Sequence, residues 1–213
     1  MRIGRICLGL AALLVGATTA AAAPIVGFGD PLTNAALVGG NQEGFDAVAS
    51  GLYNSLTLGN VTYIGVDAPF TIGTDYNGQY NTTGGKSIYN DFDLVPTSFR
   101  FNFGAPVNAF AFNWGAADNT WTLSAFNSGG TLLDSQVLPA TFGGNAGNYF
   151  GLAAAGISYA TLVNDTGSAS DYVFVDRFTS TKGSAPEPAT LLLLGSGLAG
   201  LAAKRRRAVH ATK

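Results

Sequence analysis

"TSFRFNFGAPVNAFAFNW" occupies residues 97–114 of a 213-residue chain. Phe99, Phe101 and Phe103 alternate with Ser98, Arg100 and Asn102, so one face of this stretch is aromatic and the other polar. That is the period of a half-buried β-strand. After Gly104, Ala105 and Pro106 the alternation resumes, with Phe110, Phe112 and Trp114 set over small residues, and reads as the next strand. "TWTLSAF" (120–126) continues the pattern. "TLLDSQVL" (131–138) pairs back onto it through Asn127, Ser128, Gly129 and Gly130, a composition typical of tight turns. "GISYATLV" (156–163) and "DYVFVDRFTS" (171–180) supply late strands. Upstream, "NVTYIGV" (60–66), "FTIGT" (70–74) and "KSIYN" (86–90) are weaker candidates. About ten strands, broken by Gly, Asn, Asp and Pro at short intervals and with enough rings to fill an inter-sheet core, predict an all-β, jelly-roll-like sandwich.

Composition agrees and narrows the chemistry. The chain has 29 Gly and only 11% charged residues, and its net charge of −2 conceals a partition. Arg2, Arg5, Lys204, Arg205, Arg206, Arg207 and Lys213 place seven cations at the two ends. Between residues 23 and 188, four cations (Lys86, Arg100, Arg177, Lys182) face thirteen acids, a net charge of −9. Such a body repels nucleic acids. The sole cysteine, Cys7, and the sole histidine, His210, lie at the termini. A disulfide, a histidine metal site and a Ser-His-Asp triad are therefore excluded from the body. Its only glutamate is Glu43, and no pair of carboxylates stands out at the separation a glycosidase needs. The expectation is a non-enzymatic protein.

The ends read as instructions for export. "MRIGRICLGLAALLVGATTAAAAP" has two arginines, an apolar run from Ile6 to Val15 and small residues before Pro24, the pattern of a secretory signal peptide. Cleavage after Ala22 leaves Ala23 first, so the chain divides into a signal peptide (1–22), a body (23–181) and a C-terminal signal (182–213). Residues 189–203 are uncharged and mostly apolar; as a helix they reach about 22 Å against a hydrocarbon core of about 30 Å. Lys204, Arg205, Arg206 and Arg207 follow as a cluster that stays cytoplasmic.

Pro186, Glu187 and Pro188, the short apolar helix (189–203) and the basic cluster (204–207), in that order at the extreme end, resemble a PEP-CTERM sorting signal. The resemblance implies recognition by an exosortase, a membrane-embedded cysteine peptidase of Gram-negative bacteria, with removal of the tail near Pro-Glu-Pro. It implies signal peptidase and exosortase as partners during export and transient anchoring at the inner membrane. Delivery to the cell surface or the extracellular space follows. An ordinary C-terminal membrane anchor is the alternative. The body's order of strands is similar to that common among PEP-CTERM proteins and, more loosely, to galactose-binding-like jelly rolls that bind carbohydrate.

Candidate sites in the body stand beside plainer roles. Trp114 and Trp121 bracket a polar turn, "WGAADNTW", and their alternation first places both rings in the core. If they faced outward, Asp118, Asn119 and Thr120 would complete a saccharide platform. Tyr149 leaves a Gly- and Asn-rich connection (142–151), and Tyr76 and Tyr80 lie on a long polar loop. No cofactor is required. The likeness to carbohydrate-binding jelly rolls implies at most a structural calcium on Asp46 and Asp176, although the usual Asp-Asp doublet is missing, with Arg177 in its second position. The functional expectation is an exported surface or biofilm-matrix protein associating with extracellular polysaccharide. The alternatives are a structural or adhesive protein without glycan specificity and, behind it, a glycan-active enzyme.

Overall fold

The computed structural model describes residues 22–74, 85–90, 95–141, 147–167 and 171–181. Its twelve strands are β1 (Ala23–Phe28), β2 (Asn41–Glu43), β3 (Gly51–Tyr53), β4 (Ser55–Leu58), β5 (Val61–Gly65), β6 (Phe70–Thr74), β7 (Lys86–Tyr89), β8 (Ser98–Gly115), β9 (Trp121–Phe126), β10 (Leu132–Leu138), β11 (Asn148–Asn164) and β12 (Phe174–Ser180). A 3-10 turn at Pro31–Thr33 is capped by Asp30. The fold is all-β, as the alternation predicts, with twelve strands where about ten were expected. Two expected strands, 97–103 and 107–114, are halves of one 18-residue strand.

All pairings are antiparallel and belong to one hydrogen-bonded sheet, in the order β10-β9-β11-β8-β12-β7-β6-β3, with β1 on β11, β2 on β12, β5 on β8 and β4 on β5. The sheet becomes a sandwich because its two longest strands turn a corner. The β8–β11 register slips twice, between Ala153 and Ile157 and again between Ile157 and Tyr159, the second slip lying opposite the break at Gly104, Ala105 and Pro106. Beyond it the halves of β8 face each other, with Phe101 and Phe112 5.7 Å apart and Phe103 and Phe110 5.4 Å apart. Bulges and breaks let a strand pass from one layer to the next in this way.

One layer thus contains β10, β9, residues 159–164 of β11, residues 98–103 of β8, β5 and β4. The other contains β1, residues 148–153 of β11, residues 107–115 of β8, β12, β7, β6 and β3. Phe178 of β12 is the pin between them, 4.9 Å from Phe101, 5.3 Å from Tyr63 and stacked at 5.7 Å on Phe110. Half-buried Gln136 of the end strand β10 donates through Nε2 to the carbonyl of Gly151 on the opposite layer. The second layer has covered outer strands: Leu37, from the segment after the 3-10 turn, packs with Ile25, Ala109, Ala111 and Tyr149. Gly151 has no room for a side chain, because a β-carbon there would overlap the carbonyl oxygen of Phe110.

Residues 1–21, expected to belong to a signal peptide, and residues 182–213, expected to form the C-terminal signal, lie outside the described residues, as do Tyr76 and Tyr80. Among the described residues no helix is long and apolar enough to cross a membrane.

Candidate functional site

Trp114 closes β8 and Trp121 opens β9, and the inward phase of both strands carries the two indoles into the core. Both rings are fully enclosed and meet edge to face at 5.7 Å. Their N–H groups are used inside: Trp114 Nε1 donates to the carbonyl of Pro139 at 3.2 Å, and Trp121 Nε1 donates to Asp171 Oδ2 at 2.7 Å. The outward-facing tryptophan platform is therefore corrected: strand phase and the buried donors leave neither ring a face for a sugar.

The turn between them is tied to the same carboxylate. Asp171 Oδ1 accepts from Asp118 N at 2.6 Å, and Oδ2 accepts from Asn119 N at 3.1 Å. Asn90 completes the knot, donating to the Asp171 carbonyl at 2.6 Å and accepting from Val173 N at 2.7 Å. Three donors on one buried carboxylate offset its desolvation. Asp118, Asn119 and Trp121 thus meet around Asp171, which sequence reasoning did not single out, with Trp114 against Trp121. Asp118 remains exposed and Asn119 half-buried. Tyr149 is elsewhere, on the second layer, laid across Gly27 in the cluster with Ile25 and Leu37.

The two aspartates considered for calcium have separate surroundings. Asp46 is exposed and its Oδ1 accepts from Lys86 N at 2.7 Å; Asp176 is buried in the β12 bulge, where its Oδ1 accepts from Arg177 N at 2.7 Å. Among the described residues no group of three or more His, Cys, Asp or Glu side chains is placed to hold a metal ion. Glu43 is half-buried beside Tyr63, and burial raises its carboxyl above the ordinary value.

The outward face of the first layer carries a different arrangement. Phe126 on β9 stacks on Tyr159 of β11 at 4.8 Å, and the Arg100 guanidinium of β8 lies 3.9 Å from the Tyr159 ring centre. Arg100 Nε donates to Asn102 Oδ1 at 2.7 Å. Phe126 was legible as an aromatic out of phase with the inward Trp121 and Leu123.

The molecule is a β-sandwich whose polar turn is knotted inward. Its C-terminal segment, residues 184–207, matches the PEP-CTERM protein-sorting motif. The K2 cleaved adhesin domain of Lys-gingipain is similar in backbone at 12% identity and a TM-score of 0.44, covering 68% of this chain and 99% of that one. TmCBM61 in complex with β-1,4-galactotriose is similar at 15% identity and a TM-score of 0.34, covering 57% of this chain and 88% of the other. No curated protein sequence matches.

Proposed function

We propose that this chain is an exported, exosortase-sorted surface or matrix protein whose body associates with extracellular polysaccharide without catalysis. The sorting motif at residues 184–207 carries the proposal. In this reading residues 1–22 are removed by signal peptidase. Residues 189–203 hold the chain at the inner membrane, with Lys204, Arg205, Arg206 and Arg207 on the cytoplasmic side. Exosortase then acts near Pro186, Glu187 and Pro188. Prolines keep that segment extended and poor in backbone donors, which suits a protease groove. The released body is acidic and all-β, and it works without a cofactor; unchanged thermal stability on chelation checks that last point against the Asp46 and Asp176 alternative.

A structural or adhesive role without glycan specificity is the second reading, favoured by the enclosure of Trp114 and Trp121. Co-sedimentation of the exported chain with exopolysaccharide from the producing cells separates the two. Saturable binding supports the first, and none supports the second.

A further inference from the structure

The two outer faces of the sandwich are unlike. On the second layer Leu37, from the segment that follows the 3-10 turn, packs over Ala109 and Ala111 and encloses them. On the first layer Val137 is 61% and Leu132 54% exposed, and the Phe126, Tyr159 and Arg100 stack is half-buried on the outward phase of its strands. The register sets rows across this face: Phe126, Tyr159 and Asn102 in one, Ser124, Thr161 and Arg100 in the next. An apolar, π-rich ridge is therefore flanked by hydroxyl, amide and guanidinium donors at strand spacing.

We propose that this outer face, centred on Tyr159 and Thr161, is where the body docks an uncharged polysaccharide chain. The inference rests on the polysaccharide reading above and locates its site. Alternating apolar and hydrogen-bonding rows suit a chain that presents C–H surfaces and hydroxyls in turn. Charge selects the class. Arg100 is held by Asn102 and Tyr159, while Asp67 and Asp165 are engaged by Thr97, Ser98 and Thr122. The body's net −9 opposes a polyanionic glycan. The place where the tail departs also matters. β12 ends on the second layer, with Thr181 N donating to the Ala109 carbonyl at 2.9 Å and its Oγ1 accepting from Asn108 N at 2.9 Å. β12 thus ends on the layer opposite the docking face.

The test uses chains exported by the producing cells, with their exopolysaccharide split by anion exchange into neutral and acidic fractions. Wild type should bind the neutral fraction. Tyr159→Ser, Arg100→Gln and Thr161→Glu should each weaken binding about tenfold or more, while Val26→Thr and Leu52→Thr on the second layer stay near wild type. Circular dichroism and thermal melting establish that each variant is folded; Thr161→Glu, which removes no ring of the stack and no core side chain, decides the matter if the others unfold. Neutral-fraction binding unaffected by Thr161→Glu would overturn the proposed face while leaving the polysaccharide reading standing. Binding to the acidic fraction alone would overturn the uncharged class. Binding to neither would remove the reading on which the proposal rests. A wild-type dimer that these first-layer variants dissociate would make the face a self-association surface instead.

Discussion

Trp121 Nε1 donates to Asp171 Oδ2 at 2.7 Å, a bond between residues fifty apart that anchors the first strand after the polar turn to the approach of the last strand. The same carboxylate takes the backbone N–H groups of Asp118 and Asn119. Asp171→Ala orphans three donors at once and should cost about 3–5 kcal/mol. A lower urea midpoint with red-shifted tryptophan emission checks it; an unchanged midpoint would show that the turn is held by other means.

Tyr63 is fully buried among Phe45, Phe101 and Phe178, and its hydroxyl has no hydrogen-bond partner among the described residues. Burial first, and the Glu43 charge second, push the phenol well above its ordinary pKa. Tyr63→Phe keeps the ring and removes the unsatisfied hydroxyl, so it should stabilise the fold by about 1 kcal/mol. A thermal melt decides: a lower Tm would mean that the hydroxyl has a water partner.

At Gly151 an added β-carbon would meet backbone on the neighbouring strand, the Phe110 carbonyl and Ala111 Cα, neither of which can swing aside. Gly151→Ala should therefore destabilise by about 3 kcal/mol or prevent folding. Gly156→Ala is a useful comparison, because space there is open and only its φ of +75° opposes a side chain. Its cost should be about 1–2 kcal/mol, read from urea midpoints.

Two carboxyls give opposite pH dependences. Burial tends to raise Asp67, but hydrogen bonds from Thr97 N and Oγ1 and from Ser98 N outweigh it and hold the group below its ordinary value. Its contribution is present above the unfolded pKa of about 3.9 and is lost as pH falls through the lowered folded value. Asp67→Asn should flatten the acid limb of stability. Glu43 is raised by burial, so it favours folding most when protonated and loses that as pH rises through its folded value. Glu43→Gln should be more stable than wild type at neutral pH and converge on it in acid, as measured by urea midpoints across pH.

Alternation made the core legible: Phe99, Phe101, Phe103, Phe110, Phe112 and Trp114 are all buried where their phase puts them. It could not show that residues 98–115 are one strand, because the corner at Gly104, Ala105 and Pro106 looks locally like a turn. The start of β11 at Asn148 was hidden for a related reason. Gly151, Ala153 and Ala154 have little strand propensity, and Gly151 is there because the next backbone comes so close. Asp171 gave no local sign of its partners, which come from the turn before β9. Likewise, Tyr159 and Phe126 can be seen as outward aromatics, but only the register of β8 on β11 puts Arg100 over the ring.

Intact-mass analysis of the chain recovered from the surface and medium of the producing cells, with and without their exosortase, tests the sorting account. The account predicts a mature chain that begins at Ala23 and ends near Pro186, Glu187 and Pro188, replaced in exosortase-deficient cells by a membrane-bound form retaining residues up to Lys213. A full-length C-terminus in both cell types would contradict it.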